Sequence, residues 1–237
     1  STTSSDFLIS AELVAGQSVS SSPPQADGIS PTAIEYTGPI TLAKSTHIKA
    51  RAVSGSTWSA LNEATFAVGP VKESLRISEI MYHPQDTGNP NDPNKEFIEL
   101  KNIGTETINL NLVRFTKGID FTFGNLELAP GQYTVVVKDL QAFAAQYGSD
   151  ISIAGQYSGS LANAGERIRL EDAIGQTILD FRYRDDWRRI TDGGGFSLTI
   201  IEPSNADPNN WSQKDCWRAS ALSGGSPGWD DTGMVPD

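Results

Sequence analysis

From Leu75 onward the chain is written in short runs whose apolar residues recur at every second position, and that period constrains the fold more than any other feature. A two-residue period belongs to a strand with one face buried, because successive side chains point to opposite sides. In "KEFIELKN", Ile98 and Leu100 share one face while Phe97 and Glu99 share the other. In "LAPGQYTVVVKD", Pro130-Gly131 marks a turn, after which Tyr133, Val135 and Val137 alternate with their neighbours. "ERIRLEDAIGQTILDFRYR" reads as a hairpin: Ile168 and Leu170, a turn at Ala173 to Gly175, then Leu179, Phe181 and Tyr183. Phe196, Leu198 and Ile200 supply one further strand face. The one stretch with helical spacing is "LQAFAAQYG", stopped by Gly148. Many strands, frequent turns and one short helix predict an all-β sandwich.

Composition agrees. Thirteen Pro and 22 Gly punctuate the 237 residues, which favours strands and turns over long helices. A single cysteine, Cys216, rules out an internal disulfide, so the fold must stand on its core. A net charge of −11 repels phosphate backbones, and Arg182, Arg184, Arg188 and Arg189 are interleaved with Asp180, Asp185 and Asp186, so no nucleic-acid partner is expected. No run of 18 apolar residues is present, so no membrane insertion is expected. The opening "STTSSDF" has no signal-peptide pattern and fits the interior of a longer polypeptide.

The chain divides unequally. Residues 1–68 begin with a Ser/Pro-rich stretch and then alternate through Ile48, Ala50 and Ala52, turn at "SGSTW", and alternate again through Ala64, Phe66 and Val68. "GPVKES", residues 69–74, reads as a linker. Residues 75–229 form the strand-rich body, and 230–237 a C-terminal tail.

Taken in order, "ISEIMYHP", "EFIELKNIG", "LELAPGQYTVVVKD", "FAAQYG", "GSLANAGERIRLEDAIGQTILDFRY", "GGGFSLTII", "WRAS" and "GGSPG" resemble the lamin-tail domain of bacterial secreted proteins. That resemblance implies an immunoglobulin-like β-sandwich whose family pattern is strand and turn chemistry, without a catalytic constellation. "AIEYTGPITLAKSTHIKARAVSGSTWSALNEATFAV" is similar to part of the all-β module at the C-terminus of chitobiase-type hexosaminidases. Together the two resemblances imply a bacterial extracellular or cell-surface location beside other domains of a larger protein. They imply a non-catalytic interaction or spacer module that anchors or presents the parent protein to a polysaccharide or protein partner. The alternatives are a carbohydrate-binding module with an exposed Trp platform and an accessory fragment of a glycoside hydrolase.

Several residue sets bear on chemistry. Asp86, Asn89, Asn91, Asp92, Asn94 and Glu96 are six oxygen-bearing side chains in one stretch, a number that suits calcium. The alternation of a known calcium loop is absent, and Asx residues beside Pro make turns unaided, so a plain inter-strand loop is the leading reading and no cofactor is expected beyond that calcium alternative. His47 and His83 lie far apart and, with Cys216, form no zinc motif. Ser226 in "GGSPG" is followed by Pro227, which reads as a closing turn and not a nucleophile elbow. Glu79 and Glu99 pair on adjacent strands, and the expected reading is a solvated sheet face. No enzyme activity is expected.

For carbohydrate, the candidates are Trp58, Trp187, Trp211, Trp217 and Trp229. Trp187 in "YRDDWRR" has the most polar surroundings, so Trp187 with Tyr183 and Arg184 is the expected ligand-binding set, provided the indole is exposed.

Overall fold

The structure is a computed structural model that describes residues 8–14, 34–54, 57–204 and 208–233. The Ser/Pro-rich stretch of the first part and the last residues of the expected tail lie outside the described residues. The first part contains β1 (Leu8–Val14), β2 (Ile34–Glu35), β3 (Thr46–Ser54), β4 (Thr57–Trp58) and β5 (Asn62–Phe66). These form one antiparallel sheet in the order β2-β1-β3-β4, with β5 also paired to β3.

After a helical turn α1 (Val71–Ser74) come β6 (Leu75–Met81), β7 (Phe97–Asn102), β8 (Ile108–Asn109), β9 (Arg114–Lys117), β10 (Phe121–Thr122), β11 (Glu127–Leu128) and β12 (Tyr133–Val137). Helix α2 (Leu140–Tyr147) follows, then β13 (Ile153–Gln156), β14 (Arg167–Glu171), β15 (Thr177–Arg182), β16 (Leu198–Ile200) and β17 (Trp217–Ala219). A six-stranded sheet runs β13-β12-β7-β6-β16-β17, and a four-stranded sheet runs β10-β9-β14-β15. Ile77, Ile80, Ile98, Leu100, Val136 and Leu198 of the first pack in one core with Phe115, Ile168, Leu170, Leu179 and Phe181 of the second. The chain therefore forms the all-β sandwich that the two-residue period predicts, of the immunoglobulin-like type that the lamin-tail resemblance implies. The expected hairpin is β14-β15, with Gly175 at φ 83° in its turn.

One register shift does much of the positioning. Ile77 faces Leu100 and Glu79 faces Glu99, which leaves Ser78 as the extra residue of a β-bulge. Without it, the alternation begun at Leu75 and Ile77 would aim Glu79 into the core. With it, Ile80 and Tyr82 point inward beside Ile77, and Glu79 turns to the outer face.

That outer face is covered too. Asp139 caps α2 by accepting from the Ala142 N–H at 2.7 Å, and Gly148, at φ 83°, ends it. The helix crosses between the parallel strands β12 and β13 and lays Phe143 edge-on against Phe97, 5.7 Å between ring centres, beside Met81, Val135 and Val137.

The stretch expected as a linker is not a free connection. Val71 and Ser74 are buried, and the Ser74 carbonyl accepts from the Ile103 N–H at 2.8 Å. The first sheet is fastened to the sandwich just alongside, where Asn111 Nδ2 donates to the Ser45 carbonyl at 2.7 Å. No helix of the described residues is long and apolar enough to cross a membrane.

At the closing end of the sandwich, Trp217 stacks on Phe181 at 5.3 Å, meets Trp211 edge-on at 5.7 Å, and donates its indole N–H to the Trp211 carbonyl at 2.7 Å. Replacing Trp217 by Ala should cost about 3–5 kcal/mol of unfolding free energy in urea titrations. A loss under about 1 kcal/mol would contradict this packing.

Candidate functional site: two buried carboxylates beneath a strap

The segment Gly224 to Asp231 lies across the outer face of the six-stranded sheet as a strap, and alternate residues bind what lies beneath. The Gly224 carbonyl accepts from Tyr147 Oη of α2 at 2.6 Å. The Ser226 N–H and hydroxyl donate to Glu79 on β6, at 3.0 and 3.1 Å. The Gly228 N–H donates to Glu99 on β7. Asp230 accepts from Lys101 Nζ at 2.7 Å and from Tyr133 Oη, and Asp231 pairs with Arg218 at 3.3 Å. Gly225 has φ 81°, and a Cβ there would overlap Glu79 Oε1, so the close approach of the strap needs glycine.

Beneath it Glu79 and Glu99 are direct cross-strand partners, each only 1% exposed. Ser197 Oγ donates to Glu79, and Ser78 Oγ, on the bulge, donates to Glu99 at 2.6 Å. The solvated face expected from sequence is thus a sealed one. Alternation alone could not reveal this, because the cover comes from residues more than a hundred positions away. Burial pushes the Glu79 carboxyl up to about 7, against the hydrogen bonds from Ser197 and Ser226 that favour its charged form. Glu99 is pushed well above the ordinary carboxylate range, first by burial and then by the neighbouring Glu79. The nearby cations are committed elsewhere, Lys101 to Asp230 and Arg218 to Asp231.

This is not a hydrolytic cleft. Glycoside cleavage wants two carboxyls that flank a substrate with room for it between them. Here both are roofed by the strap and 1% exposed, and the concavity whose lining they share with Lys101, Tyr133, Pro203 and Trp229 is only about 140 Å³. Ser226 is buried and its hydroxyl is a donor to Glu79, so it is no nucleophile.

The other expected residues are placed as follows. Trp187 is 6% exposed and stacks towards Trp217 at 6.5 Å; Tyr183 is fully buried, donating its hydroxyl to the Ala162 carbonyl at 2.8 Å. The expected platform is therefore corrected: of the set only Arg184 faces solvent. A short 3-10 turn, Asp185–Trp187, carries the acidic neighbours outward and the indole inward, so polar surroundings in sequence misread its direction. The strongly exposed tryptophan is Trp229, 61% accessible on the strap.

The acidic loop is satisfied internally. Asp92 accepts from the Thr87 N–H and hydroxyl, both at 2.8 Å, from the Asn89 N–H at 3.2 Å, and from Lys95. These bonds, led by the Thr87 N–H, hold its carboxyl down at about 2. Asp86 and Asn89 cap the N–H groups of Gly88 and Asn91. Glu96 turns away from the loop to Lys138 at 2.7 Å, Tyr157 Oη and the Leu161 N–H. Asp92 and Glu96 of the calcium set thus already have protein donors, and Glu96 is directed away from the loop. Among the described residues no group of three or more His, Cys, Asp or Glu is placed to hold a metal ion. His83 Nδ1 lies 2.6 Å from Asp192, and His47 meets Thr65 and Glu63.

An open, mostly apolar concavity of about 400 Å³ lies on the first sheet and is lined by Tyr36, Ile40, Leu42, Ile48, Ala64 and Phe66. Tyr36, Ile40 and Phe66 are among the exposed large apolar side chains. The alternation through Ala64 and Phe66 showed an apolar face; it did not show that the face is open.

Comparison with known proteins comes to two findings. Residues 69–185 match the family model of the Lamin Tail Domain. A solved structure of a DUF4876 family protein from Bacteroides thetaiotaomicron aligns over 98% of this chain and 92% of its own, at 10% identity and a TM-score of 0.36. No curated protein matches the chain.

Two outcomes are expected. The folded pair holds a proton that the unfolded chain releases near pH 4.5, so its contribution is complete below that pH and is lost as pH rises through about 7. Between pH 5 and pH 8 the wild type should lose roughly 2 to 2.5 kcal/mol relative to Glu79→Gln in urea unfolding, and parallel curves would refute this. For the loop, Asp92→Ala should lower Tm, while neither EDTA nor added calcium should move the Tm of the wild type. A rise in Tm with calcium would restore the cation reading.

Proposed function

We propose that the chain is a non-catalytic interaction and spacer module of a larger bacterial extracellular or cell-surface protein, presenting that protein to a polysaccharide or protein partner. The observation that carries this reading is where the polar and apolar groups go. The one adjacent acid pair weighed for hydrolysis is sealed and used as an acceptor, while the open concavity on the first sheet is apolar. Large exposed apolar surfaces on soluble proteins mark contact sites more often than chemistry. The Lamin Tail Domain match over residues 69–185 supports a module of immunoglobulin-like type.

Trp229 favours a second reading, a carbohydrate-binding module. Its exposed indole stands at the rim of the small concavity that Tyr133, Lys101 and Asp230 also line, an aromatic face beside hydrogen-bonding groups.

Sedimentation of the whole chain with insoluble polysaccharides and with cell-envelope protein separates the two. The first-sheet reading predicts that Tyr36→Ala with Phe66→Ala weakens retention by about tenfold or more while Trp229→Ala leaves it unchanged. Loss with Trp229→Ala alone would establish the second reading. Turnover of a glycoside, ester or peptide by the purified chain would overturn both.

A further inference from the structure

The strap and the acid pair are built so that each depends on the other, whatever the module binds. We propose that Glu79 and Glu99 form a proton-operated latch: with a proton on the pair the strap segment Gly225 to Trp229 is shut against the sheet, and its loss releases that segment.

The geometry has three parts. First, the middle of the strap is anchored to the sheet through these two side chains. Ser226, by N–H and hydroxyl, and Gly228, by N–H, donate to Glu79 and Glu99. Two negative charges on cross-strand partners, both desolvated, repel under the same roof that seals them. Opening the roof returns water to both.

Second, the cations nearest the pair among the described residues are already paired with other carboxylates. The charged and titratable groups around the pair are Lys101 from β7, Tyr133 from β12, Arg218 from β17, Tyr147 from α2, and Asp230 and Asp231 from the strap end. Lys101 binds Asp230 and Arg218 binds Asp231. Asp231 adds a further negative field at Glu79, and burial already lifts that carboxyl to about 7.

Third, the strap can move without unravelling the sandwich. Gly224, Gly225 and Gly228 hold φ values of 92°, 81° and 98°, and the segment donates no strand hydrogen bonds to the sheet. Its far end stays held, since Asp231 also accepts from the Ala221 N–H at 2.9 Å. Gly224 stays held as well, its N–H donating to the Gly195 carbonyl at 2.6 Å and its carbonyl accepting from Tyr147 Oη, so release lifts the segment from Gly225 to Trp229 between two anchors, uncovering the outer face of β6 and β7 and carrying the exposed Trp229 with it.

Amide hydrogen exchange of the whole chain tests this, after correction for intrinsic exchange at each pH. From pH 5 to pH 8, protection at Ser226 and Gly228 should fall roughly a hundredfold, while Ile80 and Ile98 at the sheet centre keep theirs. In Glu79→Gln with Glu99→Gln the strap protection should be flat across the same range. Equal protection of the wild-type strap at both pH values overturns the latch, a result that requires no variant to fold. So does the same loss in the doubly substituted chain, or a parallel loss at Ile80 and Ile98, which would be global unfolding.

Discussion

The sandwich depends on covering its six-stranded sheet on both faces. An antiparallel sheet usually buries one face and wets the other. Here the inner face packs on the four-stranded sheet, while α2 and the strap close the outer one. Sealing an outer face obliges every polar group on it to find a partner or give up its charge. Glu79 and Glu99 do both. They accept from Ser78, Ser197, Ser226 and Gly228, and they hold on to a proton at a pH where exposed carboxylates have lost theirs.

The same requirement explains the bulge. Ile77 and Ile80 are three residues apart, yet both lie in the main core, which an unbroken strand cannot achieve. The extra residue, Ser78, restores the parity and donates to Glu99. A local irregularity in β6 thus serves the inner core and the outer acid pair together.

Much of this was legible in the residues. Alternation located the strands, the Ala173 to Gly175 turn located the hairpin, and "LQAFAAQYG" located the helix. The Ile77 to Ile80 spacing was also a usable sign of the bulge. What could not be read was direction relative to distant cover. Trp187 sits among charged neighbours yet faces Trp217, and Glu79 looks like a wet residue until Ser226 arrives from far along the chain. The acidic loop misleads in the opposite sense. Its oxygens look available in a row, but Thr87, Asn89, Lys95 and Lys138 have already claimed the carboxylates of Asp92 and Glu96.

A carbon-13 titration of the glutamate side-chain carboxyls in the intact chain probes the sealed pair most directly. The account predicts that the resonance lost on Glu79→Gln titrates near pH 7, and that the Glu99 resonance shifts when its neighbour is replaced. If both residues instead titrate together with the exposed glutamates below pH 5, the outer face is not sealed, and the structural role given to the strap is wrong.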